Sequence, residues 1–539
     1  MMDVRSDRQL PFWIFLLIVL CWLLPGLLGH EPWKPDEAYS FGLIRHIAAS
    51  GDWVVPTLAG EPFMEKPPLY FIVAAGFLKL LGGIFNPPDA ARLASGFFLI
   101  LTFIPVALAA RELHGRGFGR WAVLALLGCL GLAVRAHQMI TDTALLAGMA
   151  WGIYGYILGL RRVIPGALAL GFGAAAAFLA KGLLGPGLLG ICGILLPVIV
   201  RSCRTLRYAR FLSIALLVSL PLPLLWMGTL YARSPELFRT WFWVNNFGRF
   251  NGTAGLGPRS AGHWFYLTLL PWYALPALPM AFVALWRQRG VLPEIWSIPL
   301  TIFTVSLVVL SSAADARELY ALPLLPGLAI LAPGALRFEQ PPSAKWRFAL
   351  QVLFGLLALV LWIAGLALAW GYPEPIWTRF EASAPGLHPH GSLFILALAL
   401  IITLSLGWVL IRAKMACHRP LIAWCAGFSL CWGLAMILGM PFLDYTKRYS
   451  DPFTQLKHYL PQSGCVSSVH LGEPQRALLE YYAALQTLRV EVDPQAKQCR
   501  FMLVETESGK GGIHPDGELL WSGHRAGDHR ERYELYRLH

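Results

Sequence analysis

The sequence is short of charge. Only 14% of its 539 residues are Asp, Glu, Lys or Arg, against about 25% in an ordinary soluble domain. Acids are scarcer than bases, 31 to 44. It also lacks common signatures of nucleotide chemistry: no P-loop and no D-x-D motif is present. That argues against a nucleotide or nucleotide-sugar site. No C-x-x-C or His/Cys cluster appears among the 9 cysteines and 14 histidines, so zinc and haem arrangements are not expected. The reading is therefore of a chain with no cofactor and no metal.

What fills the space is apolar. Hydrophobic residues make up 56% of the chain and its mean hydropathy is +0.55. Uninterrupted Leu/Ala/Val runs long enough to cross a bilayer recur along most of the length, the mark of a helical polytopic membrane protein. Thirteen spans are expected, near 11–29, 93–110, 121–140, 142–160, 163–180, 182–200, 211–229, 264–286, 293–312, 319–336, 348–370, 391–411 and 420–441. The apolar run at 11–29 is long for a signal peptide and no small-x-small site follows it, so an uncleaved first span is expected.

The net charge of +13 does not point to nucleic acid. Its Lys and Arg cluster between apolar runs: Arg111/Arg116/Arg120, Arg161/Arg162, Arg201/Arg204/Arg207/Arg210, Arg287/Arg289, Arg337/Lys345/Arg347 and Arg412/Lys414/Arg419. With Arg5 and Arg8 inside, every cluster falls on the cytoplasmic face, as the positive-inside bias requires. An inner-membrane protein with a cytoplasmic N-terminus and a periplasmic C-terminus follows. The segment 68–85 is read as an amphipathic helix at the outer interface, because a span there would invert the later loops. The first outer loop then runs over residues 30–92. A membrane domain is expected over 1–442. From 443 to 539 the composition turns polar, with short alternating apolar runs that read as a small periplasmic α/β domain. There, Cys465 and Cys499 lie in a compartment where a disulfide can form.

Ionisable groups near membrane spans cost several kcal/mol unless paired or hydrated, so each is a functional candidate. Here Asp36, Glu37, Glu65, Lys66, Arg135, His137, Asp142, Lys181, Asn245, Asn246, Arg249, His263, Asp315, Arg317, Glu318 and Tyr320 all fall at outer span ends or in outer loops. Each also has a bland reading. Asp36 and Glu37 suit a solvated loop pair, Asp142 a helix N-cap, Lys181 a snorkelling anchor and His263 the aromatic belt. Shared placement on one face favours a common site. Carboxylates there can act as a base while the cations hold a phosphate. A phosphate with an oily tail in this setting is a polyprenyl phosphate.

The first outer loop reads Pro35-Asp36-Glu37, Gly51-Asp52-Trp53, Pro56 and Glu65-Lys66-Pro67. In order and spacing it resembles the same loop of bacterial GT-C glycosyltransferases, the protein O-mannosyltransferase-like and lipid A aminoarabinose-transferase-like superfamily. "MITD" (139–142), "AKG" (180–182), "FWVNNFGRF" (242–250) and "LYALPLLPGLAIL" (319–331) extend the resemblance over roughly residues 1–440. It implies an all-α membrane fold with an outer C-terminal domain, and inverting transfer of a sugar from a polyprenyl-phosphate donor to a periplasmic-side acceptor: lipid A, another envelope glycan or a protein. Carried over by position, Asp36 with Glu37 is the catalytic candidate and Lys66 a donor-phosphate contact. Glu65, Asp142, Lys181, Arg249 and Tyr320 line the same cavity. Two positions depart from the pattern. Tyr39 stands where the family usually has Arg, so Arg45 or Arg317 is expected to supply that phosphate contact. Asn246 stands where the aminoarabinose branch has a metal-binding His, and Asn is a poor transition-metal ligand. The rival readings are a transporter or flippase of lipid-linked sugars, whose polar groups belong at the midplane of internal repeats, and a glycan ligase using a pyrophosphate-linked donor.

Overall fold

The computed structural model describes residues 10–253, 262–290, 292–337, 344–412, 419–507, 515–528 and 530–539. The basic residues Arg5, Arg8 and Lys414 and the thiol of Cys417 lie outside these residues, as do the side chains of Arg347, Arg412 and Arg419. The described chain is mostly helical, with a mixed sheet close to its C-terminus.

Among the described residues, eight helices are long and apolar enough to cross a bilayer, or ten if each of two sharply bent pairs is one span. Thirteen were expected, and local causes account for the difference. The helix Phe12–Leu23 has 12 residues, about 18 Å at 1.5 Å per residue, whereas the hydrocarbon core is about 30 Å thick. Leu184–Ile199, with 16 residues, also falls short. Asp142–Gly159 has 18 residues, but its Asp142-Thr143 start, its glycines and its tyrosines leave it less apolar than the counted spans. The stretch 121–140 breaks by 78° after Leu127, and 264–286 breaks by 95° between Tyr273 and Ala277, where Pro276 removes a backbone donor. The two breaks pack together: a Cβ on Gly128 would come within 2.9 Å of the Pro276 ring. Within 68–85 the helix Leu69–Leu81 has 13 residues, too few to span, and turns Tyr70, Phe71, Ala74 and Ala75 inward. The last long helix, Arg419–Lys447, continues beyond the boundary expected at 442.

Asp142–Gly159 and Val163–Lys181 form an antiparallel pair joined by a tight turn. Small residues let their backbones meet, a common device between membrane helices. A Cβ on Gly148 would lie 2.6 Å from the Gly173 carbonyl oxygen, and one on Gly155 would lie 2.4 Å from the Leu170 nitrogen. Close pairing brings the start of the first helix beside the end of the second. Asp142 and Lys181 therefore meet, each at the helix end whose dipole favours its charge.

Five strands form the C-terminal sheet. With the short hairpin Thr57–Leu58 (β1) and Glu61–Pro62 (β2) counted first, they are β3 (Val466–Val469), β4 (Leu488–Arg489), β5 (Phe501–Glu507), β6 (Gly517–Gly523) and β7 (Glu531–Leu538), in the order β4-β3-β5-β7-β6. β3 is parallel to β4 and β5, and β7 is antiparallel to β5 and β6. The helix Glu473–Ala483 makes the crossover from β3 to β4. Cys465 and Cys499, just outside β3 and β5, are joined by a disulfide.

The basic loops gather at one end of the bundle. Arg161 pairs with Glu112 at 2.7 Å, Arg207 donates to the Arg161 carbonyl, Arg337 to the Leu113 carbonyl, and Glu294 accepts from the Ser202 amide.

Candidate active site

Helix Asp36–Ser50 begins with two adjacent acids that face different surroundings. Successive helical side chains diverge by about 100°, so Asp36 and Tyr39, three apart, share a face that Glu37 leaves. The Tyr39 hydroxyl donates to Asp36 Oδ1 at 2.8 Å, and Lys66 Nζ donates to the same hydroxyl at 2.5 Å. Burial and the adjacent Asp36 carboxylate push the Tyr39 hydroxyl well above its ordinary range, so it stays protonated and keeps donating. A hydrogen-bonded line thus runs from the base candidate to the cation candidate.

Around this line stand further charged pairs. Glu65 binds Arg249 at 2.9 Å. Lys181 is paired with Asp142 and lies 4.0 Å from the centre of the Tyr320 ring. Arg317 reaches the same ring at 6.0 Å and pairs with Asp315 at 3.2 Å. Lys181 is in electrostatic range of Lys66 and Asp36, Arg317 of Asp36, and Arg249 of Tyr320 and Arg317. The sequence-derived residues Asp36, Glu65, Lys66, Asp142, Lys181, Arg249, Arg317 and Tyr320 therefore converge. Three buried polar atoms here, Asp142 Oδ2, Asn245 Oδ1 and Arg249 Nε, have no hydrogen-bond partner among the described residues. Buried polar groups are ordinarily satisfied, so these atoms suit a ligand or water.

Arg249 follows an unusual backbone. Residues Thr240–Gly248 form a π-helix, a form rare enough to be associated with functional sites. It turns Asn245 so that its Nδ2 donates to the Met64 carbonyl at 2.8 Å, just before Glu65. Asn246 Oδ1 accepts from the Leu183 amide at 3.1 Å, and its Nδ2 donates to the Trp241 carbonyl. Gly182 beside it has a φ of +69°, and a Cβ there would fall 2.3 Å from Asn246 Oδ1. Asn246 thus locks the Lys181 corner to the π-helix, and only glycine fits between them. Among the described residues, no three His, Cys, Asp or Glu side chains come together as a metal-binding group.

Two candidates point away from the cluster. Glu37 is 1% exposed, takes Arg92 Nε at 2.8 Å and the Met139 amide at 3.1 Å, and lies 3.8 Å from His30. Burial, the largest single influence, raises its pKa, but the Arg92 guanidinium, His30 and the Met139 amide together hold it below the ordinary carboxylate range. Arg92 also binds Asp89 at 2.8 Å and the His30 carbonyl at 3.1 Å. Sequence reasoning missed this structural knot, although a lone Arg near the start of the long apolar helix Pro87–His114 was its signal. Arg45 is the second. It lies nine residues after Asp36, about half a turn out of phase, and stacks on Tyr481 of the C-terminal portion at 4.8 Å. Among the two arginines expected to replace the missing contact, Arg317 is the one beside Asp36.

A cavity of about 1100 Å³ lies elsewhere. It opens between the first helix and the helices Leu393–Arg412 and Arg419–Lys447, among apolar side chains, and none of the clustered residues lines it.

No protein-family model matches the chain. It is 28% identical over 476 residues to an undecaprenyl phosphate-alpha-4-amino-4-deoxy-L-arabinose arabinosyl transferase of Pseudomonas fluorescens, covering 84% of this chain and 76% of that protein. A transferase of the same name from Photorhabdus laumondii is 27% identical over 383 residues, with 68% of this chain and 66% of that one covered. Among solved structures, ArnT from Cupriavidus metallidurans bound to undecaprenyl phosphate superimposes with a TM-score of 0.73 at 19% identity, over 97% of this chain and 98% of that one.

Proposed function

We propose that the chain is an ArnT-like glycosyltransferase of GT-C type, which transfers a sugar, with inversion, from undecaprenyl phosphate to an acceptor on the outer face of the inner membrane. The acceptor is a membrane-side molecule such as lipid A, another envelope glycan or a protein. The observation that carries the reading is the line Asp36–Tyr39–Lys66 set among Lys181, Arg249 and Arg317.

The residues divide the work. An acceptor hydroxyl oxygen bonds to the anomeric carbon from the side opposite the lipid phosphate. The bond from that carbon to the phosphate oxygen breaks, and the electron pair leaves with the phosphate. Asp36 takes the hydroxyl proton. Lys66, Arg249 and Arg317 balance the charge gathering on the departing phosphate. Glu65 orients Arg249, while Asp142 and Tyr320 orient Lys181 on the site's rim. Were the acceptor itself a phosphate, already anionic, Asp36 would position it and no base would be needed. Cytoplasmic placement of the basic loops, and periplasmic placement of the C-terminal sheet, follow from the positive-inside bias.

Purified protein incubated with sugar-charged undecaprenyl phosphate is expected to release free undecaprenyl phosphate when an acceptor is added. A carrier moved across vesicles uncleaved would mean transport and end this reading.

A further inference from the structure

Both reactive segments have a second attachment, on the side away from the site. Lys34, two residues before Asp36, binds Glu531 of β7 at 2.5 Å and Glu505 of β5 at 3.9 Å. Glu531 is itself fixed by the hydroxyls of Tyr449 and Tyr533 at 3.3 and 3.2 Å, with Arg525 at 3.7 Å. Glu61, five residues before Lys66, sits between Arg476 at 2.6 Å and Arg489 at 3.2 Å. Arg476 is 3% exposed and also donates to the Leu58 carbonyl. All these partners belong to the C-terminal portion.

Between the two attachments lies one helix. Glu473–Ala483 packs on Asp36–Ser50 so closely that a Cβ on Gly42 would lie 2.9 Å from Ala477 Cβ, and Tyr481 meets Phe41 edge-on at 4.9 Å. Its first residue, Glu473, is in electrostatic range of Glu65 and Lys66. The attachments have opposite polarity. An acidic pair receives Lys34 and a basic pair receives Glu61, so a reversed docking would set like charges together.

We propose that the C-terminal sheet and its crossover helix act as a clamp that sets the position of Asp36 relative to Lys66. The proposal rests on the transfer reading above and assigns Lys34, Glu61, Arg476, Arg489 and Glu531 as positioning residues. Its necessity comes from Tyr39. One hydroxyl must reach both Asp36 and Lys66, and hydrogen bonds fail within about 0.5 Å of stretching beyond their normal range. Apolar packing alone would keep the sheet attached while permitting it to slide or rotate. Ion pairs at two separated points remove that freedom.

The two arms are expected to fail differently. Lys34→Met frees the Asp36 segment, so kcat should fall by about 10²-fold, the cost of a misplacement near 1 Å, with KM for the lipid donor within about twofold of wild type. Glu61→Gln frees the Lys66 segment, so KM should rise and undecaprenyl phosphate binding should weaken, each by about tenfold, the worth of one good polar contact. Partial unfolding would not divide the parameters in this way. The exchange Lys34→Glu with Glu531→Lys should recover activity above either single change. Equal losses in both parameters for both variants would overturn the clamp, as would wild-type kinetics in either. If Glu531→Lys does not accumulate, the split between Lys34→Met and Glu61→Gln still decides. If wild-type protein turns over no donor, the transfer reading fails. Undecaprenyl phosphate binding then tests the clamp alone, with weakening expected for Glu61→Gln but not for Lys34→Met and equal affinities overturning it.

Discussion

At one end of the helical bundle Arg161 meets Glu112 with 63% of its side chain exposed, and its neighbours cap backbone carbonyls. At the other end Asp142 is 1% and Lys181 12% exposed, and nearly every charged group serves several partners. Both ends are built from the same residue types. Burial and the number of partners separate an anchor from a group held ready for chemistry. An exposed pair contributes about 0–1 kcal/mol, whereas a buried one commits several kcal/mol to one arrangement.

Substitutions at each end can break or sharpen this contrast. Asp36→Asn should have the largest effect, slowing transfer by about 10²–10⁴-fold while leaving undecaprenyl phosphate binding in place; unchanged turnover would remove Asp36 from the mechanism. Arg92→Met strands Glu37 in the interior and should cost about 3–5 kcal/mol, seen as earlier thermal unfolding in detergent. An unaltered transition would mean that the knot is not structural. Lys66→Ala should lower transfer by about 10²–10³-fold, with weaker binding of undecaprenyl phosphate, measured by titration of the lipid.

A smaller effect is expected with pH. Burial pushes the Glu505 carboxyl up to about 7, despite Lys34 nearby. Because the folded state holds this proton more tightly than the unfolded chain does, the linkage favours folding at low pH. Attachment of the C-terminal sheet should therefore weaken as pH rises from about 4.5 to about 7 and then level off. Hydrogen exchange across β5 and β7 would follow it, and a Glu505→Gln variant should flatten the profile. Arg161→Ala, at the opposite end, should change stability by no more than about 1 kcal/mol and leave kcat untouched. A larger loss there would dissolve the contrast between the ends.

Much of the site was legible because the cost of placing charge near lipid leaves few places for it. The Asp36, Lys66, Asp142 and Lys181 cluster followed from one-sidedness, and each of these residues lies in it. Direction around a helix was harder to read. Glu37 adjoins Asp36 in sequence yet points into the Arg92 knot, and Arg45 lies on the face turned to Tyr481. Tyr39, read as the loss of a phosphate contact, instead supplies the hydroxyl linking acid and cation. In the fold, hydropathy marked the apolar segments but could not register the bends at Gly128–Cys129 and near Pro276, nor that Phe12–Leu23 ends early. Average apolarity carries no information about chain direction. The mixed sheet was visible as alternation, but its grip on the first loop depends on pairs some 400 to 500 positions apart, which no local pattern contains.

That separation has a bearing on how the protein is made. Lys34 leaves the ribosome early, and its counterpart Glu531 emerges almost 500 residues later, after the last helix has been inserted. The disulfide linking Cys465 to Cys499 can form only once Cys499 has emerged, late in synthesis. A half-synthesised or misinserted chain would already carry the acid and lysine of its first loop but would lack the C-terminal part that holds that loop. Biogenesis would then double as quality control, withholding the assembled cluster until translation is complete.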